Sequence, residues 1–170
     1  MKKFIKLSIS ICAILSGVSC TINLDPHEFD IEGIKVVSLS GIESVAVHPK
    51  LVGAKERELL LAATTVIVDE DEFTKVLTGE VEKVLKENSV HVNSDSEKSI
   101  EIQVVRVSLQ PDRTTYCVID YNRKLGEGEA YGFQSKAKEF SFITACENAL
   151  KNAATDILND STTIKYLRGE

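Results

Sequence analysis

The clearest structural pattern in this 170-residue chain lies in residues 100–158, IEIQVVRVSLQPDRTTYCVIDYNRKLGEGEAYGFQSKAKEFSFITACENALKNAATDIL. Its first part, Ile100 to Leu109, alternates apolar and polar residues as a strand does. The apolar residues change parity between Val104 and Val105, which predicts either a β-bulge or a strand buried on both faces.

The rest of this stretch predicts an antiparallel meander followed by a helix. Pro111-Asp112 is typical of a turn, and Thr115 to Tyr121 reads as the returning strand. Gly126 and Gly128 indicate a second turn before a third strand, Glu129 to Ala137. A helix is expected from about Ser141, with an Ala-rich apolar face that includes Cys146. Asn159-Asp160-Ser161 should end that helix, and Ile164 and Leu167 indicate one more amphipathic turn.

Upstream, the acidic run Asp69–Glu72 precedes a helical stripe that ends near Asn88. Shorter apolar runs predict strands at Ile34–Leu39, Val45–Val47 and Val90–Val92. The run Leu59–Val68 is ambiguous between helix and strand, although its β-branched end, Thr64–Val68, favours a strand. This order predicts an α+β fold in which two main helices cover one face of an antiparallel sheet, in a single domain over residues 33–170.

The N-terminus has the pattern of a cleaved signal peptide over residues 1–19. Lys2, Lys3 and Lys6 precede an apolar run, Leu7–Val18, that is shorter than the ~20 residues needed to span a bilayer. The run ends LSGVSC, with Cys20 last, and this ending resembles a bacterial lipoprotein signal. That resemblance implies a diacylglycerol on the Cys20 thiol, cleavage before Cys20, further acylation such as palmitate, and a tether over residues 20–32. Gly17 and Ser19 also suit the ordinary signal peptidase, so a plain secretory signal is the alternative.

Charge argues against some partners. The chain has 20 basic and 26 acidic residues; removal of residues 1–19 takes away three lysines and no acid, which leaves 17 against 26 and a net charge of −9. Nucleic acid is therefore not expected as a partner, because phosphate binding needs clustered Lys and Arg. Thr21 rather than Asp follows Cys20, which by resemblance to enterobacterial sorting implies the outer membrane, with the domain in the periplasm.

Of the four cysteines, Cys12 lies in the signal segment and Cys20 is the proposed lipid site. Cys117 and Cys146 remain for the folded domain. In an oxidising periplasm they are candidates for a disulfide, and the alternative is a pair of buried, reduced cysteines. The chain has no CxxC motif, so a redox enzyme or a structural zinc site gains no support.

Residues with catalytic or ligand chemistry form no recognised motif. His27 lies among Asp25, Glu28 and Asp30, but their spacing matches no known metal site. His48 and His91 are expected to be structural or exposed. Asp69–Glu72 reads as a helix start in preference to a calcium site. Tyr116, Tyr121 and Tyr131 fall in the meander, where packing is the expected role and an exposed binding surface the alternative.

Three segments are similar to the YajG-type family of small bacterial lipoproteins. They are FTKVLTGEVEKVLKENSVHV (residues 73–92), IEIQVVRVSLQPD (residues 100–112) and ACENALKNAATDILNDSTTIKYL (residues 145–167). In the family they correspond to a helix and strand, a long strand, and two closing helices. The resemblance implies architecture and location; because the family has no established activity, it implies no catalytic residues.

We therefore expect a non-enzymatic, lipid-anchored envelope module without cofactor or metal, which binds another envelope protein through a sheet edge or a helix face. The alternative is a periplasmic carrier of a small ligand or an envelope lipid, which needs an apolar pocket between helices and sheet. A hydrolase of envelope polymers is a third hypothesis, and it requires His48 or His91 beside an acid or a serine.

Overall fold

A computed structural model describes residues 20–28, 32–53, 56–61, 64–111 and 114–170. The predicted signal peptide, residues 1–19, and Asp112 of the first predicted turn lie outside the described residues. In chain order the elements are β1 (Cys20–Asn23), β2 (Ser44–Pro49), β3 (Arg57–Leu61), β4 (Thr64–Val68), α1 (Glu70–Glu87), β5 (His91–Val92), β6 (Ser99–Pro111), β7 (Thr115–Leu125), β8 (Ala130–Glu139), α2 (Phe142–Asn159) and α3 (Ser161–Arg168).

The main sheet has five strands in the order β5-β2-β6-β7-β8. The predicted antiparallel meander is confirmed, since β6, β7 and β8 pair antiparallel in sequence order. The sheet as a whole is mixed, which corrects the prediction of an antiparallel sheet: β2 runs parallel to both β5 and β6. The physical reason is the crossover. The chain between β2 and β6 includes helix α1, which returns it to the same end of the sheet, as parallel neighbours require.

A second sheet of three strands, in the order β1-β4-β3, was not predicted. Within the ambiguous run Leu59–Val68, the described residues Leu59–Leu61 and Thr64–Val68 lie in β3 and β4, which pair antiparallel, and β1 runs parallel to β4 on its other side. Residues 20–32 were predicted as a tether, but the structure places Cys20–Asn23 in β1 and a 3-10 turn at Pro26–Glu28. Leu24 is buried, and its N–H donates to the carbonyl of Ile67 at 2.9 Å.

The strand predicted at Ile34–Leu39 is wrong, because this segment pairs with a side chain instead of a neighbouring strand. The N–H of Val37 donates to Oδ1 of Asn159 at 2.7 Å, and Nδ2 of Asn159 donates to the carbonyl of Lys35 at 2.8 Å. The last residue of α2 therefore binds the backbone of the segment, and Leu39 is buried.

The parity change in the long strand is a β-bulge, the first of the two alternatives that the sequence left open. The register of β6 against β7 shifts between Val104 and Arg106, and Val105 is half exposed. Helix α1 provides a hydrogen-bond acceptor for the backbone beside the bulge, since the N–H of Val104 donates to Oγ1 of Thr74 at 2.8 Å. The Thr74 hydroxyl in turn donates to the carbonyl of Glu70 at 2.9 Å.

The predicted helices are also confirmed. Asp69 caps α1, where its carboxylate accepts the N–H groups of Asp71 and Glu72, and Asn88 ends it. Helix α1 contacts β2 and β6, and α2 contacts β7 and β8. One continuous apolar core lies between these helices and the sheet; its largest fully buried side chains are Phe73, Leu77, Leu85, Ile100, Ile102, Ile119, Leu150, Ile157, Leu158, Leu167, Val45 and Val66.

Candidate functional site

Cys20, the proposed lipid site, is the first residue of β1 and is half buried. Parallel pairing sets Cys20 opposite Thr64, the first residue of β4, and antiparallel pairing sets Thr64 opposite Leu61 of β3. Cys20 therefore lies at the end of the three-stranded sheet where β3 ends and β4 begins. Sequence alone did not indicate this, because pairing between distant strands has no local signal.

Cys117 of β7 and Cys146 of α2 are joined by a disulfide, with Cα atoms 5.0 Å apart. Both residues are fully buried. Strand alternation puts Cys117 on the same face as Ile119, and helical periodicity puts Cys146 with Ala149 and Leu150 on the buried face of α2. The bridge fastens the second main helix to the centre of the meander. Its setting is apolar and interior, which suits a structural crosslink better than a redox site.

The acidic region around His27 is held together by protein contacts. Nε2 of His27 lies 2.7 Å from a carboxylate oxygen of Glu72, and Nζ of Lys75 donates to the other oxygen at 2.5 Å. Lys75 first, and His27 second, lower the pKa of Glu72 below its ordinary value. Within the described residues, no group of three or more His, Cys, Asp or Glu side chains is placed to hold a metal ion.

The acids at the start of α1 have structural partners. Asp69 caps the helix, while the Asp71 carboxylate accepts the N–H groups of Val52 and Gly53 at 3.1 and 2.9 Å. Glu70 pairs with the guanidinium of Arg57 at 2.6 Å. The helix-start interpretation therefore accounts for the run, which ties the loop before β3 to α1.

The other two histidines lie exposed on strands of the main sheet. His48 faces Glu101 across the β2–β6 pairing, and His91 faces Ser44 across the β2–β5 pairing. Glu101 is 3.6 Å from Lys50. In the described part of the chain, neither imidazole makes a hydrogen bond to the acid or serine opposite it. The hydrolase hypothesis requires a histidine that is hydrogen-bonded to an acid or a serine. Each histidine has such a residue opposite it in the sheet, but neither pair is hydrogen-bonded, so neither histidine is placed as a base to activate a nucleophile.

The three tyrosines of the meander do not form one surface. Tyr121 is buried and stacks on Phe133 with ring centroids 5.6 Å apart, and burial raises its pKa. Tyr116 lies on the opposite face of the sheet, with Nζ of Lys136 4.1 Å from its ring centroid. Tyr131 is largely exposed on the edge strand β8. Packing is therefore the role of Tyr121.

A buried polar cluster around Arg123 was missed at the sequence level. Arg123 is almost fully buried, and its guanidinium donates to Asp160 at 2.7 Å and to the hydroxyl of Thr163 at 2.5 Å. Its Cζ lies 4.6 Å from the ring centroid of Phe133. Burial alone would raise the pKa of Asp160, but the Thr163 N–H and Arg123 outweigh it and lower the pKa. The sequence did contain a signal for this burial, because Arg123 is an even number of residues from Cys117 and Ile119 in the same strand and therefore lies on the same inward face.

Two of the surface cavities formed by the described residues are lined mainly by charged groups. One of about 330 Å³ is bordered by Glu32, Glu80, Lys83 and Glu87, and one of about 380 Å³ by Glu43, Glu97, Lys98 and Arg168. Such walls suit water and ions better than an apolar ligand. None of the helices in the described residues is both long and apolar enough to cross a membrane.

No family model matches the chain, and no curated protein matches it significantly. Among solved structures, a protein of the DUF330 family from Xanthomonas campestris matches with a TM-score of 0.53 at 13% identity, over 82% of this chain and 90% of that one. The chain shares the fold of that protein.

A second solved structure, described as a minor lipoprotein from Acinetobacter baumannii, matches 75% of this chain and 94% of its own. Its TM-score is 0.43 at 10% identity, which is below the level that establishes a common fold. Neither structure is described as YajG-type, so that resemblance stays a prediction.

Proposed function

We propose that this chain is a bacterial envelope lipoprotein, anchored by acyl chains on Cys20, whose α+β domain acts without catalysis as an accessory module for other envelope proteins. The observation that carries the proposal is the N-terminal pattern: a lysine-led apolar run that ends in LSGVSC. Each acyl CH₂ that enters the bilayer contributes about 0.8 kcal/mol, so three chains would hold the domain almost permanently. Thr21 after Cys20 favours the outer membrane, with the domain in the periplasm.

The lack of an assembled catalytic group in the described residues supports a binding role. The histidines are exposed or paired with structural acids, and the cavities described above have charged walls. These two cavities do not favour a carrier of apolar ligands, and the YajG-type resemblance is compatible with either role. We therefore propose a protein partner.

Strand β8 is the best candidate for the partner-binding element. It is a ten-residue edge strand, and an edge strand offers backbone groups that can pair with a strand of another chain. Tyr131 within it is 59% exposed, and Phe140 just after it is 91% exposed. Exposed aromatic side chains beside a strand edge are typical anchors of protein interfaces.

The anchor is tested by the intact mass of the protein extracted from its own membranes without reductant. We expect residues 20–170 plus three acyl chains. Cys20→Ser should abolish the acyl mass and release the protein from the membrane fraction, whereas the matched variant Cys12→Ser should leave both unchanged. An unmodified mature chain in the wild type would contradict the proposal.

The partner is tested with a photo-crosslinking amino acid placed at Tyr131 in living cells, with a control at Lys83 on the exposed side of α1. We expect a crosslinked envelope protein from position 131 and none from position 83. Monomer alone from position 131 would count against β8 as the interface.

A further inference from the structure

The three-stranded sheet brings the anchor residue and an apolar hairpin to one end of the molecule. Cys20, Thr64 and Leu61 are aligned across β1, β4 and β3. Neighbouring strands lie about 4.8 Å apart, so the backbone of β3 passes within about 10 Å of Cys20. The next row, Thr21, Thr65 and Leu60, is one residue further from that end.

Among the described side chains at this end, Leu60 is an exposed apolar group, with 77% of its surface accessible. Pairing places it on the outer face of the sheet with Thr65, whereas Leu59 faces the same way as the fully buried Val66. An edge strand with an exposed leucine is an aggregation hazard unless something covers it. Glu58, which is also exposed, follows on the same face about 6.6 Å further from the Cys20 end.

No free spacer separates the anchor from the folded domain. Pairing of β1 with β4 begins at Cys20 itself, and Leu24 is buried only four residues later. Acyl chains on Cys20 would therefore leave directly from the end of this sheet, and the membrane surface would meet the end of β3. The acidic mature chain gives no attraction to anionic lipid, so the contact has to be apolar.

We propose that the lipid bilayer covers this end of the sheet: the end of β3 docks on the leaflet beside the acyl chains, and Leu60 enters the interface. Leu60 is then a second, non-covalent membrane contact that sets the orientation of the domain. Glu58 stays at the headgroup level and limits the depth of insertion. The inference rests on the proposed lipidation of Cys20.

The test uses the absence of tryptophan from the chain. Leu60→Trp introduces a unique fluorophore at the proposed contact. Val52→Trp is the matched control, because Val52 is 57% exposed and lies in the loop held by Asp71 at the opposite end of β3. The full-length lipidated variants are purified from membranes and reconstituted into phosphatidylethanolamine–phosphatidylglycerol vesicles with or without brominated acyl chains.

In vesicles we expect the emission of Leu60→Trp to shift to shorter wavelength, with quenching by brominated chains at least roughly twofold stronger than that of Val52→Trp. Leu60→Cys, labelled with a polarity-sensitive dye, gives a second measurement, since Cys117 and Cys146 are bridged. Equal, weak quenching at both positions in protein that floats with the vesicles would overturn the docking inference and leave the anchor intact. Protein that does not float would overturn the proposed anchor and the docking together.

Discussion

At the scale of single residues, the Arg123 cluster shows how one buried charge fixes the junction of α2 and α3. Asp160 ends α2 and also caps α3, where it accepts the N–H of Thr163 at 2.8 Å. The same carboxylate pairs with Arg123, whose side chain is only 4% exposed. Because a buried guanidinium needs its acceptors, the short last helix is tied to the strand beneath it.

We expect Asp160→Asn to lower the free energy of unfolding by about 2–3 kcal/mol at neutral pH, because it removes a charged acceptor from a buried arginine. Urea denaturation of the soluble domain measures the change. Asp95→Asn, in the exposed loop before β6, is the control and should have little effect. A loss for Asp160→Asn no larger than that of the control would show that the cluster is not stabilising.

The same pair predicts a pH dependence. The pKa of Asp160 is lowered from its ordinary value of 3.8 in the folded protein, so its ionised form favours folding above that value. This stabilisation is present at neutral pH and is lost as the pH falls through the folded pKa. The stability difference between wild type and Asp160→Asn should therefore stay constant near neutral pH and shrink once the pH falls below about 3.8, as measured by urea midpoints from pH 7 down to about pH 2. A difference independent of pH would exclude the charged pair as its source.

At the scale of elements, side chains of one element form hydrogen bonds with backbone groups of another. Thr74 of α1 accepts the N–H of Val104 beside the bulge, and a guanidinium N–H of Arg57 donates to the carbonyl of Val107 just after it. The bulge interrupts the ladder of β6, and these contacts satisfy backbone groups there. Helix α1 and the β3–β4 hairpin are thereby attached to the main sheet at one place.

Thr74→Val is expected to cost about 1–3 kcal/mol, because it keeps the shape of the side chain but leaves the buried N–H of Val104 without its acceptor. Thr78→Val is the matched control: Thr78 is also buried in α1, but its hydroxyl bonds only to the carbonyl of Thr74 within the helix. Thermal and urea unfolding distinguish the two variants. An equal loss in both would argue against the bulge contact.

The Cys117–Cys146 disulfide acts between elements as well. It closes a loop of 29 residues between β7 and α2, for which the chain-entropy model gives about 3 kcal/mol. We expect the double variant Cys117→Ala, Cys146→Ala to unfold at correspondingly lower urea concentration, and reductant to lower the wild-type midpoint without affecting the variant. A wild-type midpoint that is insensitive to complete reduction would contradict this prediction.

At the scale of the whole molecule, residues 20–28 pack as part of the fold. Strand β1 covers one edge of β4, and Leu24 contributes to the common core. With the proposed acylation at Cys20, a strand that begins at that residue would hold the domain close to the membrane, whereas a flexible tether would let it move freely.

This difference is measurable in a soluble form. We expect residues 32–170 to be less stable than Cys20→Ser in residues 20–170 by about 2–4 kcal/mol, because the deletion removes buried Leu24 and uncovers β4. Urea unfolding of the two forms gives the comparison, and Thr21→Ala in the longer form controls for changes at an exposed position. Equal stability would mean that residues 20–28 behave as a tether.

Much of the fold could be predicted from local patterns. The two long helices, the meander and the bulge each have a signature in sequence: a capped helical stripe, alternation between turn residues, and a parity change in Ile100–Leu109. The prediction of a strand at Ile34–Leu39 was wrong. A short apolar run does not show whether its backbone will pair with a neighbouring strand or with a side chain, which here is Asn159. Strand and helix periodicity allowed Cys117 and Cys146 to lie on facing surfaces, but these periodicities could not predict the distance between the two Cα atoms.

The amino-acid sequence by itself determined the periodic elements, the net negative charge of the chain and the lysine-led apolar run that ends at Cys20, because each depends on neighbouring residues or on simple counts. Only the tertiary structure decided that β2 joins the main sheet in parallel, that β1 pairs with β4, and that Arg123 meets Asp160. These are contacts between residues far apart in the chain, and their choice depends on which surfaces bury together. For the same reason, the position of Leu60 beside the proposed anchor became visible only once the second sheet was formed.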